Sequence, residues 1–239
     1  MNLRALHSAL EILRTRDPGV PGLGLCWGGV GLGKTTALSW LSNQPSINGL
    51  YVRAMRMWSP SAMLGVLMRE LGAAQLGRCA PMIDFIADAL RKNGRCLLID
   101  ECDYCAYDGR LIDTLRDICD VSGAPMLFVG TDSFRRKITV RDQLAGRISQ
   151  WIEFQPASLK DARTVSDDLC EVRIEEDLLA DLHHAARGSM RGLVVGLSRI
   201  EHFAKVRGLV SVDRSRWGGQ PFVLTTEPSP APMPKLKVA

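Results

Sequence analysis

A glycine-rich stretch between residues 28 and 35 has the residue types needed to bind phosphate. It reads Gly28-Gly29-Val30-Gly31-Leu32-Gly33-Lys34-Thr35, which is the spacing G-x-x-x-x-G-K-T of a P-loop. Glycines let the backbone come close to a phosphate and adopt positive φ, so that successive amide N–H groups form a concave anion site. Lys34 is expected to reach the β- and γ-phosphates, and the Thr35 hydroxyl to bind Mg²⁺. The stretch, continued by Thr36, therefore predicts a site for ATP with Mg²⁺.

Two carboxylates follow an apolar run further along the chain. Residues 96–99 are typical of a strand buried on both faces of a parallel sheet, and Asp100 and Glu101 come directly after them. In α/β folds, ligands bind at the carboxyl ends of the strands. We expect Asp100 to hold Mg²⁺ through water and Glu101 to orient or deprotonate the attacking water. The alternative is an exposed acidic strand end, and the P-loop upstream favours the catalytic interpretation.

Two further polar residues are candidates for contacts with phosphate. Thr131 follows the apolar run 125–130, so it either lies beside the γ-phosphate or simply N-caps the next helix, and the pattern does not separate these roles. Arg191 stands in the first turn of a predicted helix, where a cation opposes the helix dipole. This unfavourable position for a cation indicates an anionic partner, and an ordinary surface arginine is the alternative.

The remaining periodicity predicts one α/β domain with a helical appendage. We expect a lead-in helix in residues 1–19, a nucleotide-binding core in 20–155, a small helical lid in 156–208 and an extension in 209–239. No strand-like run is visible between residue 156 and Val210. The Pro- and Ser-rich end of the chain predicts a disordered tail.

Composition narrows the class of protein only broadly. Lys and Arg number 30 against 26 Asp and Glu, and this mild excess permits nucleic-acid binding without establishing it. No apolar run approaches the length of ~20 residues that a membrane span needs, so no membrane partner is expected. The seven cysteines are scattered and odd in number, which favours a reducing cytoplasm, a bacterial host's if the gene is carried by a phage.

The order of these motifs resembles an AAA+ ATPase over about residues 20–205. Residues 98–103, Leu-Ile-Asp-Glu-Cys-Asp, are similar to the acidic strand of transposition and secretion ATPases, and residues 128–131 resemble their strand before the first sensor. Residues 146–156 resemble the arginine-finger box with its following strand, with Gly146 in place of the usual serine. The resemblance implies a parallel sheet flanked by helices, with Arg147 as a finger acting on a neighbouring subunit's ATP and Arg191 as the second sensor.

Within that superfamily the chain looks most like transposition ATPases of the phage Mu B type. This resemblance implies a homo-oligomer, ring or helical filament, that binds double-stranded DNA without sequence preference and recruits and activates a transposase. A secretion-type protein-remodelling ATPase and a helicase loader are the alternatives. The candidate DNA contacts are Arg53, Arg56, Arg110, Arg135, Arg136 and Lys137, and for each of them charge patterning favours the alternative of an ordinary solvated charge.

Overall fold

The computed structural model describes residues 1–222 and divides the chain into two compact units. The first unit comprises residues 1–155 and the second begins at Pro156. The tail predicted to be disordered lies, from residue 223 onward, outside the described residues. Within the described part, no helix is long and apolar enough to cross a membrane.

A five-stranded parallel sheet forms the centre of the first unit. Its strands are β1 (Leu23–Trp27), β2 (Gly49–Arg53), β3 (Cys96–Asp100), β4 (Met126–Val129) and β5 (Ile148–Glu153). They lie in the order β2-β3-β4-β1-β5, and every neighbouring pair is parallel. All carboxyl ends therefore meet at one edge of the sheet. This arrangement confirms the predicted α/β fold, a parallel sheet flanked by helices.

The central strands are buried on both faces because each face carries its own layer of helices. One layer consists of α1 (Asn2–Thr15) and α2 (Lys34–Ser42). The other face is covered by α3 (Pro60–Glu70), α4 (Cys79–Asn93), α5 (Gly109–Ser122), α6 (Asp132–Thr139) and the short α7 (Asp142–Ala145). Strand β3 shows the alternation directly, since Cys96 and Leu98 belong to the first core and Leu97 and Ile99 to the second.

The residues that predicted helix α3 and the lead-in helix α1 have the expected local contacts. Ser59 caps α3 by accepting a hydrogen bond from the Ala62 amide at 3.2 Å, and Pro60 occupies the first turn, where its missing N–H costs nothing. The lead-in helix α1 buries Leu6, Leu10 and Leu13 in the first core. It is thus an integral part of the first unit.

The three longer helices of the second unit are α8 (Leu159–Leu169), α9 (Glu176–Ala186) and α10 (Met190–Val206). Our expectation of no strand before Val210 was wrong, because β6 (Arg173–Ile174) pairs with β7 (Ser211–Val212). A two-residue strand is too short to show an alternating pattern. Residues 209–222 also contribute to this core, since Trp217 of α11 (Arg214–Trp217) is buried with its ring centroid 5.1 Å from that of Phe203.

Candidate nucleotide-binding site

The loop between β1 and α2 has a backbone that only glycine adopts without strain. Gly28, Gly31 and Gly33 have φ values of 149°, 81° and 91°. At Gly28 the space is also restricted, since an added Cβ would lie 2.7 Å from the carbonyl oxygen of Phe154, the residue after β5. Gly28, Gly31 and Gly33 are therefore required by conformation, and Gly28 also by close approach.

Lys34, the first residue of α2, folds back over this loop. Its Nζ donates hydrogen bonds of 2.8 Å to the carbonyl oxygens of Gly28 and Gly29. Burial lowers the pKa of Lys34, and the nearby carboxylates of Asp100 and Asp103 oppose that shift. The amino group is thus held at the amino end of α2, where the helix dipole also favours an anion. Thr35 and Thr36 follow in the first turn and are exposed.

The carboxylate of Asp100 is fixed at the end of β3. Asp100 is only 3% exposed, and its two oxygens accept hydrogen bonds from the Tyr51 hydroxyl at 3.2 Å and from the Glu101 amide at 2.8 Å. Burial, with the neighbouring carboxylate, raises the pKa of Tyr51 to about 12, so the phenol stays a donor. These two bonds orient the Asp100 side chain.

Glu101 has a left-handed backbone and a cationic partner. Its φ is 57°, in the region that costs a residue with a side chain about 1–2 kcal/mol. Its Oε1 lies 3.4 Å from Nη2 of Arg53, which stands opposite Asp100 in the parallel register of β2 and β3. Arg53, a predicted DNA contact, forms an ion pair with Glu101, and its contact with DNA stays a prediction.

Thr131 makes the N-cap contact that was one of its two predicted roles. Its hydroxyl accepts a hydrogen bond from the Ser133 amide at 3.2 Å. The same hydroxyl donates to Asp103 Oδ1 at 2.5 Å, and the Thr131 amide donates to Asp103 Oδ2 at 2.8 Å. Asp103 therefore ties the end of β4 to the segment after β3, and it places Thr131 at the same sheet edge as Glu101. A sensing role for Thr131 stays a prediction.

The residues at this edge fit a magnesium nucleotide. A glycine-rich turn with positive φ and a lysine at a helix start is the donor set that phosphates need. The hydroxyl of Thr35 and the carboxylate of Asp100 are hard oxygen ligands of the kind Mg²⁺ prefers.

The predicted arginine finger, Arg147, belongs to the first unit, and the predicted second sensor, Arg191, belongs to the second. Arg147 directly precedes β5, so it stands at the amino edge of the sheet, opposite the P-loop. Its guanidinium forms an ion pair of 2.5 Å with Asp120 of α5 and borders a cavity of about 660 Å³. Arg191 is exposed in the first turn of α10 in the second unit.

The candidate DNA contacts separate into different environments. Arg56 and Lys137 both lie over the ring of Tyr107, with Arg56 Cζ 6.0 Å and Lys137 Nζ 4.5 Å from its centroid. Arg110 is bound by both carboxylate oxygens of Asp108. Arg135 instead lies over the ring of Trp27, at 5.5 Å from its centroid. Arg136 is exposed on α6. Arg56 and Lys137 are thus the pair that the fold brings together.

Four contributors to these arrangements were missed from the sequence: Tyr51, Asp103, Tyr107 and Asp120. Each acts on a residue from another element, through contacts set by strand register or helix packing. Asp103 was visible in the motif of residues 98–103 but carried no assigned role. For the other three, no local pattern distinguishes them from ordinary surface or strand residues.

Comparison with known proteins places this geometry in a family. The family described as an AAA domain matches residues 17–138, slightly more than half of the chain. Comparison with curated proteins gives no match. The fold is similar to the Aeropyrum pernix ORC1 protein, solved in complex with DNA, at 17% identity and a TM-score of 0.64, with 90% of this chain and 62% of that chain covered.

Two further solved structures have the same fold. The Aeropyrum pernix ORC2 protein, solved as ADPNP–ADP complexes, gives a TM-score of 0.69 at 17% identity over 89% of this chain and 65% of that one. Domain III of the Thermotoga maritima replication initiation protein DnaA gives 0.59 at 20% identity over 90% and 88%. The chain thus spans less than two thirds of either Aeropyrum protein. Together with the P-loop, the acidic end of β3 and the 2-3-4-1-5 sheet, the match over residues 17–138 shows that this chain belongs to the AAA domain family.

Proposed function

We propose that this protein hydrolyses ATP and that its ATP-bound form assembles on DNA without sequence preference. The observation that carries the proposal is the arrangement of one sheet edge. Lys34, Asp100 and Glu101 meet there, and the cations Arg56 and Lys137 follow β2 and β4, the two strands that flank β3, at the same edge. The residues for nucleotide chemistry and the cations for DNA therefore lie on adjacent loops.

The residues at this edge can be given roles in hydrolysis. Lys34 would exchange its carbonyl partners on Gly28 and Gly29 for phosphate oxygens of ATP, which costs little because both sets are acceptors. Glu101 would accept a proton from the attacking water, with Arg53 holding its side chain before the substrate binds. Bound Mg²⁺, held by Thr35 and through water by Asp100, would neutralise charge on the transferred phosphoryl group.

The position of Arg147 supports hydrolysis in an oligomer. Parallel strands put Arg147 and the P-loop at opposite edges of the sheet, about 17 Å apart for a strand of five residues. An arginine so placed serves a neighbouring subunit's nucleotide better than its own. In this proposal Arg147 is a finger in trans and Arg191 the second sensor.

Two cellular roles are compatible with a DNA-dependent ATPase, and they differ in the partner protein that the ATPase recruits. The motif resemblance favours a transposition regulator that recruits a transposase to target DNA. The fold comparison favours a replication initiator or helicase loader, because the similar structures include the replication initiation protein DnaA and the ORC1 protein in complex with DNA. A neighbouring gene for an integrase-type transposase supports the first role, and one for a replicative helicase supports the second.

The proposal is tested by measuring ATP hydrolysis and DNA sedimentation on the same protein. We expect random-sequence duplex DNA to stimulate hydrolysis and to carry the protein into large assemblies with ATP but not with ADP. Glu101→Gln should sediment with DNA in ATP without turning ATP over, and Lys34→Ala should do neither. If DNA does not change the rate of hydrolysis and the protein does not sediment with DNA in ATP, DNA is not the partner, and protein remodelling remains as the function.

A further inference from the structure

An exposed tyrosine flanked by two cations stands at the carboxyl edge of the sheet. Tyr107 ends a single 3-10 turn after β3 and is 72% exposed. Lys137 of α6 and Arg56 from the loop after β2 lie over its ring, at 4.5 and 6.0 Å from the centroid. The three side chains therefore come from segments that follow three neighbouring strands, β2, β3 and β4. We name them the tyrosine surface.

The cations of the tyrosine surface are available to a ligand. In the part of the chain that the structure describes, no ion pair involves Arg56 or Lys137, whereas nearby Arg110 is held by Asp108. Met55 and Met57 on either side of Arg56 are exposed, Met57 to 90%. An aromatic ring that is 72% exposed, two cations that lie over it outside any ion pair among the described residues, and apolar neighbours thus share one solvent-facing surface.

We infer that the tyrosine surface binds single-stranded DNA, with a base stacked on Tyr107 and the flanking phosphates on Arg56 and Lys137. The inference rests on the proposed function and adds single-stranded DNA to the duplex DNA that the proposed function includes. Phosphate binding alone needs only the cations, and the bases of a duplex already stack on each other. An aromatic ring among cations is the arrangement that accepts an unstacked base, and every base has a face to offer. No side chain here is placed to read base edges, so binding is sequence-tolerant.

The tyrosine surface is linked by short segments to the catalytic edge. Tyr107 lies in the segment that begins directly after Glu101, and Arg56 follows Arg53, the partner of Glu101. A strand bound here therefore contacts the same two loops that hold the Glu101 side chain. This predicts that single-stranded DNA stimulates hydrolysis as well as binding.

The test compares three nucleic acids on the full chain with a non-hydrolysable ATP analogue. These are an oligothymidine strand, an abasic strand of equal length and charge, and a duplex. Tyr107→Ala should weaken oligothymidine binding about 5- to 150-fold, the value of one stacked base, and leave the abasic strand unaffected. Tyr107→Phe should keep wild-type affinity. Phe85→Ala, which removes a 40% exposed ring from α4, is the matched control and should change nothing.

The outcomes separate this inference from the proposed function. Unchanged oligothymidine affinity in Tyr107→Ala, or an equal loss on the abasic strand, overturns stacking while the proposed function stands. If the wild-type protein binds the duplex but not the single strand, stacking is likewise overturned and the proposed function stands. Failure of the wild-type protein to bind any of the three overturns the proposed function and this inference with it. Unchanged ATP affinity in the variants shows that they are folded.

Discussion

The left-handed backbone of Glu101 leads to a reversal in the usual order of glycine and alanine. At most positions alanine is the more stabilising residue, because glycine loses more conformational freedom on folding. At φ 57° a Cβ is crowded by its own backbone, and glycine escapes this crowding. We therefore predict that Glu101→Gly is more stable than Glu101→Ala.

The magnitude follows from two opposing terms. Relief of left-handed strain favours glycine by about 1–2 kcal/mol, and the entropy of the unfolded chain favours alanine by about 0.4–1 kcal/mol. The expected difference is about 1 kcal/mol in favour of glycine. Both variants lose the pair with Arg53 equally, and an exposed pair of this kind contributes at most ~1 kcal/mol.

Urea denaturation without nucleotide measures this difference as a shift in midpoint at constant slope. Ser8, exposed in the middle of α1, provides the control, and there alanine should be more stable than glycine by ~1 kcal/mol. Turnover is measured on the same proteins together with Glu101→Gln. All three Glu101 variants should retain ATP binding and lose about 10²- to 10⁴-fold in kcat, the contribution of a general base.

Two separate results would refute this reasoning. If alanine is more stable than glycine at position 101 as well as at position 8, the backbone there is not left-handed. If Glu101→Gln hydrolyses ATP at the wild-type rate, Glu101 is not the base, whatever its conformation.

Three further predictions concern other residues. Gly28→Ala should abolish ATP binding and lower the free energy of unfolding by about 1–3 kcal/mol, because the added Cβ would lie 2.7 Å from a backbone oxygen. Gly29→Ala should change neither, because its Cβ would meet only a leucine side chain at 3.7 Å. Binding and denaturation assays measure both effects. Arg147→Ala should bind ATP without hydrolysing it in the assembled protein, and Asp120→Asn should keep full turnover, since it only frees the arginine; loss of turnover in both would make their ion pair structural. Hydrogen bonds from its capping serine lower the pKa of Asp161, so its stabilising effect is present above the unfolded value of ~3.9 and is lost as pH falls through the lower folded value. Asp161→Asn should accordingly destabilise the second unit in urea at pH 7 and approach the wild type at pH 2–3, and an equal deficit at both pH values would contradict this.

Much of the first unit could be predicted because its signals are local. Strand β3 reads as a buried strand from four apolar residues in sequence, and α3 reads as a helix from Ser59 and Pro60 at its start. The P-loop glycines have the positive φ that the motif needs. In each case the residues that carry the signal are neighbours in the chain, so no knowledge of tertiary packing is required.

The contacts around the predicted site residues could not be predicted in the same way. Tyr51 reaches Asp100 only because β2 and β3 pair in one register, and a shift by one residue would turn Tyr51 to the other face. Asp120 reaches Arg147 because α5 ends near the start of β5. The second unit shows the same limit, since β6 exists only through its pairing with β7.

The left-handed backbone of Glu101 is better explained by the chemistry of its side chain than by a need for the chain to turn. Among residues 1–222, three residues other than glycine have positive φ, and two of them belong to ordinary turns. Asn48 precedes β2 and its amide side chain donates to the Asn93 carbonyl at 2.8 Å, while Arg187 ends α9 as its C-cap. Glu101 instead follows a fully buried strand, where glycine would satisfy the backbone at lower cost. We attribute a carboxylate at such a position, beside Asp100 and paired with Arg53, to a requirement for what its side chain does.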